Sequence, residues 1–580
     1  MEILDDQKVA SGMSDYINGA LQRSIDIIEE VESVIDDFLR KFEPWQVAVA
    51  SVCGTVAVMR IRQIIRRSNR PVARRMRDSV LSLVMLLPSI RRMIDKELVA
   101  ASAKLTDQIH RCDSKRVFLK ELPKSGMTDT NILALADEYS SMGDGRSVIS
   151  SGHVSGAVYS DCDDKSLTSV QSEIFKMFGY SNPLHPMLFP DCRKMEAEVV
   201  RMVANMFNGD EQVRGTMTSG GTESILLAML AYRNRANNKG ISEPQMVISI
   251  TAHAAFEKAA IMFGIRLCHV PVGSNGRVDV KRMERAITRD TCVLVASAPN
   301  FPTGTVDDVA AVSQLGKKYG IPVHVDSCLG GFLIPFMKDA GYPLPIFDFR
   351  LPGVTSISCD THKAYGYTPK GSSVILYRNV KFLHYQYICI PDWTGGVYAT
   401  PTLAGSRAGL TIALTWATML HFGRESYVSR TRQIVECARR IADGIRGTQA
   451  KEGIRGLKLL GSPDVSVVAF QSEEVNIYAV GDRMSKLGWH LNALQNPPGQ
   501  HICVTYNTVK ADGDVAFIRD LRTVVDELRN EPKKGADSEM AAIYGMAESV
   551  PDKSIINEVA FAYLDACYAM PIAAEDAQFM

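Results

Sequence analysis

The feature that most constrains the fold is a series of short apolar runs separated by stretches with helical spacing. The strand-like runs are Met246–Ile250, Leu267–Val270, Cys292–Ser297, Ile321–Val325 and Val354–Ile357. The helical stretches between them include Ala254–Phe263, Val280–Ile287 and Val306–Lys318. This alternation is typical of a buried, largely parallel sheet, so the sequence predicts an α/β fold. In such folds ligands bind at the carboxyl ends of the strands.

Charged residues fall at two of these strand ends. Asp326 follows Ile321–Val325, and a D-x-H-K step, with Asp360 first and Lys363 last, follows Val354–Ile357. A lone lysine after a strand is usually a solvated surface residue. Pyridoxal phosphate chemistry, however, needs both a lysine that holds the cofactor as a Schiff base and a carboxylate that keeps the pyridine nitrogen protonated. The two features together predict a pyridoxal phosphate site with Lys363 and Asp326 in these roles.

A phosphate site is predicted at TSGGTES, residues 218–224, which precedes the apolar helix Ile225–Tyr232. Gly220, Gly221 and Thr222 would present backbone N–H groups and a hydroxyl at a helix N-terminus, where an anion is favoured. A plain glycine-containing N-cap is the alternative. The anion site is the better interpretation beside a cofactor that carries a phosphate.

Three histidines surround this region in the sequence. His253 begins a helix directly after a strand, where it either caps the helix or stacks on the cofactor ring. His324 lies inside a predicted buried strand and is interpreted as a core residue. His362 is adjacent to Lys363, so we expect it near the site.

The chain is 580 residues long, which favours more than one domain. The predicted parts are an acidic segment 1–43, a transmembrane helix 44–60, a basic and helical linker 61–140, a large cofactor-binding domain 141–400 and a small α+β domain 401–580. In the last part, Gly405–Phe422 is predicted as a buried helix, and Ser466–Phe470 and Ile502–Tyr506 as strands. The formal net charge is zero, so nothing suggests nucleic acid. The twelve cysteines include no C-x-x-C pair, so neither a metal site nor a disulfide framework is expected.

The transmembrane prediction depends on the uncharged run Pro44–Met59. Trp45 lies at one edge, and eight arginines follow within Arg60–Arg77. The run is slightly shorter than the roughly 20 residues of a typical span, and a buried helix beside a solvated basic face is the alternative. The aromatic and arginine flanks favour a single span with the arginine side in the cytosol. No cleaved signal peptide is expected.

Longer motifs carry a resemblance to a known family. They are FEPWQ, VSGAVY at 154–159, SNPLHP at 181–186, TSGGTESIL, AHAAF, HVDSCLGGFL, DTHK, YGYTPKGSS, DWTGGVYATPTLAGSRAG at 392–409 and AIYGMA at 542–547. Across nearly its whole length the chain resembles the sphingosine-1-phosphate lyases. These are fold-type I pyridoxal phosphate enzymes related to the group II amino-acid decarboxylases, with which D-x-H-K alone is shared.

The resemblance implies retro-aldol cleavage of phosphorylated long-chain sphingoid bases to a long-chain aldehyde and phosphoethanolamine. It also implies a homodimer in the endoplasmic reticulum membrane, with the catalytic domain in the cytosol. For the cofactor, it implies that His253 stacks on the ring and that Gly221, Thr222 and His362 hold the phosphate. For the substrate phosphate and proton transfer, it implies a group of nearby side chains: Tyr159, His185 and Lys370, with Ser406 and Arg407 close by.

One position departs from the family. The family continues from the lysine directly into Y-G-Y or Y-G-L, whereas Ala364 intervenes here. We expect the extra residue to be absorbed near Ala364 and Tyr365, leaving Lys370 roughly in place. Two alternatives stay open: an amino-acid decarboxylase, whose soluble substrates give no reason for an anchor, and a catalytically silent membrane-bound paralogue.

Overall fold

The computed structural model describes residues 103–113, 116, 118–143, 145–159, 164–363, 366–450, 452–531 and 553–570, and isolated positions between 43 and 99. The chain divides into two units, residues 1–75 and 76–580, and the second contains everything described below. The predicted acidic segment and most of the predicted transmembrane helix lie outside the described residues. Among the residues that are described, no helix is both long enough and apolar enough to cross a bilayer.

The large unit is built on a seven-stranded sheet. Its strands are β1 (Arg214–Thr218), β2 (Gln245–Ser249), β3 (Arg266–Val270), β4 (Thr291–Ser297), β5 (Val323–Asp326), β6 (Val354–Asp360) and β7 (Ser373–Tyr377). Their order is β1-β7-β6-β5-β4-β2-β3, and β7 runs antiparallel to both of its neighbours while the other pairs are parallel. The α/β prediction is confirmed, with a mixed rather than wholly parallel sheet. Strand β7 reverses because no described helix intervenes after β6 to make a parallel crossover.

Both faces of this sheet are covered, which explains the continuous apolar runs in the sequence. Along β4, Val293 and Val295 pack into one core cluster, while Leu294 and Ala296 pack into the other. On the first face lies the helix Gly221–Asn238, which is apolar nearly all round and therefore buried. On the second face lie three further helices: Pro190–Met206, Val309–Tyr319 and Gly409–Arg446.

The element Gly409–Arg446 consists of two helical stretches separated by a kink at Gly423. The first stretch begins four residues after the predicted start and ends at the predicted residue, Phe422, and the second continues to Arg446. Gly423 has φ 59°, a left-handed conformation that glycine adopts without the cost of a Cβ.

A separate hairpin contains β8 (Ile388–Ile390) and β9 (Tyr398–Thr400). A second sheet follows the helix Gly409–Arg446, with the strands β10 (Leu457–Leu460), β11 (Val467–Ser472), β12 (Asn492–Leu494) and β13 (Gly499–Cys503). These four strands are antiparallel, in the order β10-β11-β13-β12. The predicted strand Ile502–Tyr506 is three residues too late, because Thr505 caps the helix that begins at Tyr506. Further α-helices within the described residues are Asp129–Ser140, Gly145–Ser150, Lys165–Phe178, Ala255–Phe263, Val280–Ala286, Val380–His384, Ile477–Lys486, Tyr506–Lys510, Gly513–Asn530 and Lys553–Tyr568.

The segment that precedes Tyr159 is fastened to the small sheet. Val154 pairs with His490 in a parallel bridge, and the Gly156 N–H donates to the Cys503 carbonyl at 3.0 Å. The Cys503 N–H in turn donates to Ser155 Oγ at 2.8 Å. These bonds hold Tyr159 against the end of β13, so the small sheet positions a residue of the candidate site.

Candidate active site

A cavity of about 280 Å³ lies at the carboxyl ends of β5 and β6, where the sequence predicted the site. Its walls contain Ser219, Gly220, Gly221, Thr222, His253, Cys328, Asp360, His362, Lys363 and Gly371, among others. The structure therefore brings together most of the predicted cofactor-binding residues. They come from separate stretches of the chain, which the order of the strands in the sheet brings close together.

Lys363 is held by an ion pair that sequence reasoning did not assign. Its Nζ lies 3.0 Å from Oδ2 of Asp360, the first residue of the D-x-H-K step, which is completely buried at the end of β6. Burial alone lowers the pKa of Lys363, but the Asp360 carboxylate outweighs it, with help from Asp326, and the pKa is raised above its ordinary value. Lys363 is therefore an ammonium in the cofactor-free chain. The Asp360 carboxylate stabilises this ammonium and holds it at the end of β6.

The start of the helix Gly221–Asn238 is shaped to approach this carboxylate. A Cβ at Gly221 would lie 2.6 and 2.8 Å from the two Asp360 carboxylate oxygens, so only glycine fits. Gly220 has φ 149°, which also favours glycine. The result is an open helix N-terminus beside Lys363, with the partial positive charge that suits a phosphate.

Asp326 lies one strand away, at the end of β5. It is buried, its Oδ1 accepts the Cys328 N–H at 3.1 Å, and the Ser358 hydroxyl on β6 lies 3.3 Å from the same oxygen. Strand register pairs Asp326 with Ser358, two residues before Asp360. The two acidic groups of the site are thus fixed by the pairing of β5 with β6.

The two histidines that line the cavity are oriented by backbone groups. His362 Nδ1 contacts the backbone of Ser372. Burial lowers the pKa of His362, although Asp360 pulls it upward, so the ring is mostly neutral at pH 7. His253 Nδ1 accepts the Ala255 N–H at 3.1 Å and so caps its helix, while the ring still borders the cavity. His253 therefore fits both of its interpretations.

Tyr159 and Lys370 form a pair near Lys363. Lys370 Nζ lies 5.0 Å from the centroid of the Tyr159 ring. Burial, and then the charge of Lys363, lower the pKa of Lys370. Burial, and then the neighbouring Cys503, raise the pKa of Tyr159, so the phenol keeps its proton. The pair combines a cation that releases its proton more readily with a neutral hydroxyl.

The remaining predicted residues lie further out. Ser406 lines an adjoining cavity of about 200 Å³, and its hydroxyl accepts from Asn182 Nδ2 at 3.1 Å. Arg407 makes a bidentate pair with Glu196 at 2.7 and 2.8 Å, so its charge is committed to that carboxylate. His185 is exposed on the same side and does not line the cavity that the described residues define. No pattern in the sequence identifies Glu196 as the partner of Arg407.

The loop after Lys363 is tightly constrained beyond its first residues. A Cβ at Gly366 would lie 1.6 Å from the Thr361 carbonyl oxygen, and Tyr367 is buried with φ 56°. Ala364 and Tyr365 lie outside the described residues. Absorption of the extra residue at those two positions stays a prediction.

Comparison with known proteins decides the family. The model for the pyridoxal-dependent decarboxylase conserved domain matches residues 166–472. Sphingosine-1-phosphate lyase 1 from Rattus norvegicus is 42% identical over 541 residues, which are 93% of either chain. The sphingosine-1-phosphate lyase from Saccharomyces cerevisiae is 41% identical over 490 residues, 83% of this chain and 81% of the yeast one. This chain belongs to the sphingosine-1-phosphate lyase family.

A solved structure agrees. The sphingosine-1-phosphate lyase from Burkholderia pseudomallei superimposes with a TM-score of 0.67 at 36% identity, covering 75% of this chain and 98% of that one. Family membership confirms the predicted enzyme class, a pyridoxal phosphate-dependent lyase, and the predicted cofactor.

The residues present fit that cofactor. Lys363 is the one amine that lines the cavity among the described residues, and apart from its ion pair with Lys363, Asp360 has no hydrogen-bond donor among them, so this carboxylate is available to orient that amine. Lys363 would hold the cofactor covalently, the start of the helix at Gly221 would take its phosphate, and Asp326 would face the ring nitrogen. Bound pyridoxal phosphate supplies an electron sink for bond cleavage next to an amine.

The roles of Lys363 and Asp326 predict different failures when each is replaced. Lys363→Ala should abolish turnover and the visible absorbance of the lysine-bound cofactor, because no other amine can form that bond. Asp326→Asn should still bind cofactor, less tightly, yet lose turnover because the ring nitrogen is no longer held protonated. The measurements are the visible absorbance and the turnover of both purified variants, and circular dichroism is the folding control. Lysine-type absorbance in Lys363→Ala, or normal turnover in Asp326→Asn, would contradict the assignment.

Proposed function

We propose that this chain cleaves phosphorylated long-chain sphingoid bases to a long-chain aldehyde and phosphoethanolamine. The observation that carries the proposal is the Tyr159–Lys370 pair, in which Lys370 is close enough to Lys363 to be affected by its charge. The pair would add a phosphate-binding cation and a hydroxyl to the groups that hold the cofactor. The extensive identity with sphingosine-1-phosphate lyases, named for that substrate, supports it.

Each part of the reaction has a group suited to it. The bond between the amino carbon and the hydroxyl carbon breaks, the hydroxyl proton passes to a base, and the amino carbon gains a proton. Lys370 is placed to bind the substrate phosphate through its charge. Tyr159 is placed to donate a hydrogen bond to the substrate, because its phenol keeps its proton. Asp360 orients the Lys363 amine through their ion pair.

The direct test incubates purified protein with pyridoxal phosphate and a phosphorylated sphingoid base. Mass spectrometry should detect the long-chain aldehyde and phosphoethanolamine in equal amounts, and Lys363→Ala should give neither. Lys370→Met should raise KM for the phosphorylated base more than it lowers kcat. Carbon dioxide release from glutamate or aromatic amino acids would favour the decarboxylase. Bound cofactor with turnover of neither class would favour the silent paralogue.

We also propose a single-pass anchor in the endoplasmic reticulum membrane, formed by residues 44–60, with the catalytic unit in the cytosol. Support comes from the uncharged run between Trp45 and the eight arginines. A substrate with a long apolar chain also favours an enzyme that stays at a membrane surface.

Deleting residues 1–78 tests the anchor. The shortened protein should leave the membrane fraction and still cleave substrate dispersed in detergent, because every proposed site residue lies beyond Val158. Protease added to intact microsomes carrying the full chain should digest the catalytic unit. A shortened protein that stays in the membrane fraction, or a protected catalytic unit, would contradict the proposal.

We propose in addition that two copies associate through exposed apolar side chains of the loop around His185 and of the β8–β9 hairpin. Large apolar side chains are exposed there: Tyr180, Met187 and Leu188 on the loop that also carries His185, and Trp393 and Val397 in the β8–β9 hairpin. Tyr180 is 100% exposed and Met187 95% exposed, which is costly for a face in water. A second copy would cover them, and His185 lies among them.

Leu188→Asp should shift the protein towards monomer, because a carboxylate would be buried without a partner in the interface. Val515→Asp is the matched control, since Val515 is equally exposed on a helix of the small sheet domain. Light scattering after size exclusion measures the mass. A wild-type monomer, or an equal effect of both variants, would rule out this interface.

A further inference from the structure

A continuous line of hydrogen-bonding groups runs from the far end of β5 to Asp326. Thr355 Oγ1 donates to the Val323 carbonyl at 2.9 Å, and the Tyr232 hydroxyl lies 2.7 Å from Thr355 Oγ1. The Tyr232 hydroxyl also lies 2.5 Å from Ser356 Oγ. This half of the line is made of short contacts and ends in a backbone carbonyl, which only accepts.

The second half passes through His324. Its Nδ1 lies 2.8 Å from Ser356 Oγ, and its Nε2 lies 3.3 Å from Ser358 Oγ. Ser358 Oγ is also 3.3 Å from Asp326 Oδ1, the carboxylate that ends the line. His324, Ser356 and Ser358 are completely buried. The prediction that His324 is a core residue is confirmed, yet its ring connects two polar groups.

The line has one proton fewer than it has contacts to fill with hydrogen bonds. Six contacts join Val323, Thr355, Tyr232, Ser356, His324, Ser358 and Asp326 in sequence. Both ends are acceptors, and the five groups between them hold one proton each when the histidine is neutral and the tyrosine is a phenol. Five protons cannot fill six hydrogen bonds.

The missing proton is assigned to the two longest contacts, both at 3.3 Å to Ser358 Oγ. With the four shorter contacts filled and Thr355 donating to the Val323 carbonyl, Tyr232 donates to Thr355, and Ser356 donates to Tyr232. His324 Nδ1 must therefore carry the ring proton and donate to Ser356. His324 Nε2 and Asp326 are both left to compete for the hydroxyl of Ser358, which is also hydrogen-bonded to the Cys328 thiol, a weaker partner.

We propose that His324 is a positioning residue for Asp326: its proton resides on Nδ1, and its bare Nε2 draws the Ser358 hydroxyl away from the carboxylate. Asp326 then receives only a divided share of that donor, so more of its negative charge remains for another partner. A facing ring nitrogen would keep its proton more firmly beside such a carboxylate. This last consequence rests on the proposed function, whereas the position of the proton on His324 does not.

The surroundings of His324 agree with a neutral ring. The Phe256 ring packs edge-on against it at 5.9 Å, and Asp326 is the one titratable group that raises its pKa. Burial outweighs that carboxylate and lowers the pKa of His324 to about 4. Burial likewise raises the pKa of Tyr232 to about 12, so both groups hold the protons assumed in the count.

The first measurement is nitrogen-15 NMR of histidine-labelled, cofactor-free protein at pH 7, with the His324 signals assigned by their loss in His324→Gln. The expected result is a neutral ring protonated on Nδ1. Thr355→Val releases Tyr232 to donate to Ser356, and Tyr232→Phe releases Ser356 to donate to His324. In either variant the direction of donation between Ser356 and His324 reverses, so the ring proton of His324 should move from Nδ1 to Nε2.

Thr431→Val is the matched control, because it removes a buried threonine hydroxyl that has no hydrogen-bond partner among the described residues. It should leave the proton of His324 on Nδ1. A proton on Nε2 in the wild-type protein, a doubly protonated ring, or no shift in Thr355→Val and Tyr232→Phe would overturn the proposal.

The second measurement follows the consequence at Asp326. In Thr355→Val and Tyr232→Phe the Ser358 hydroxyl is delivered wholly to Asp326, so pyridoxal phosphate should bind about two- to tenfold more weakly. Its ring nitrogen, observed with labelled cofactor, should lose its proton at lower pH. Ser358→Ala removes the donor and should shift both readouts the other way or leave them unchanged. Weaker binding in all three variants would mean a general packing effect and would overturn the link to Asp326. Failure of the wild-type protein to bind cofactor would sink the proposed function and leave the proton position tested on its own.

Discussion

The ion pair between Lys363 and Asp360 organises the site. A buried carboxylate without a partner would cost several kcal/mol, so Asp360 needs either the ammonium or a ligand that replaces it. The same carboxylate requires glycine at position 221, because a side chain there would collide with it. One acidic residue thus fixes both the reactive amine and the open helix end that can receive a phosphate.

Strand register extends this arrangement across the sheet. Pairing of β5 with β6 places Asp326 beside Ser358, two residues from Asp360. A slip of one residue would turn Ser358 and Asp360 to the opposite face together and separate them from Asp326. The apolar residues that alternate with them belong to the core, so the packing that stabilises the sheet also sets the geometry of the site.

The sequence was sufficient for the fold class and for the gathering of Asp326, Lys363 and the Gly220–Thr222 segment, because each follows a strand or begins a helix. It was not sufficient to predict which side chains pair with the site residues. Nothing in a linear pattern shows that Arg407 is neutralised by Glu196, that Lys363 pairs with Asp360, or that His324 reaches Asp326 through Ser358. These pairings depend on which strands are neighbours. The predicted strand Ile502–Tyr506 was placed too far along the chain for a local reason. Thr505 caps a helix, but the apolar residues around it are equally compatible with a strand.

The most direct test of this account is an experimental structure of the protein crystallised with pyridoxal phosphate. The account predicts continuous density from Lys363 Nζ to the cofactor, its phosphate at the N–H groups of Gly221 and Thr222, and an Asp326 oxygen within hydrogen-bonding distance of the ring nitrogen. A phosphate bound elsewhere, or a ring nitrogen facing a group other than Asp326, would contradict it.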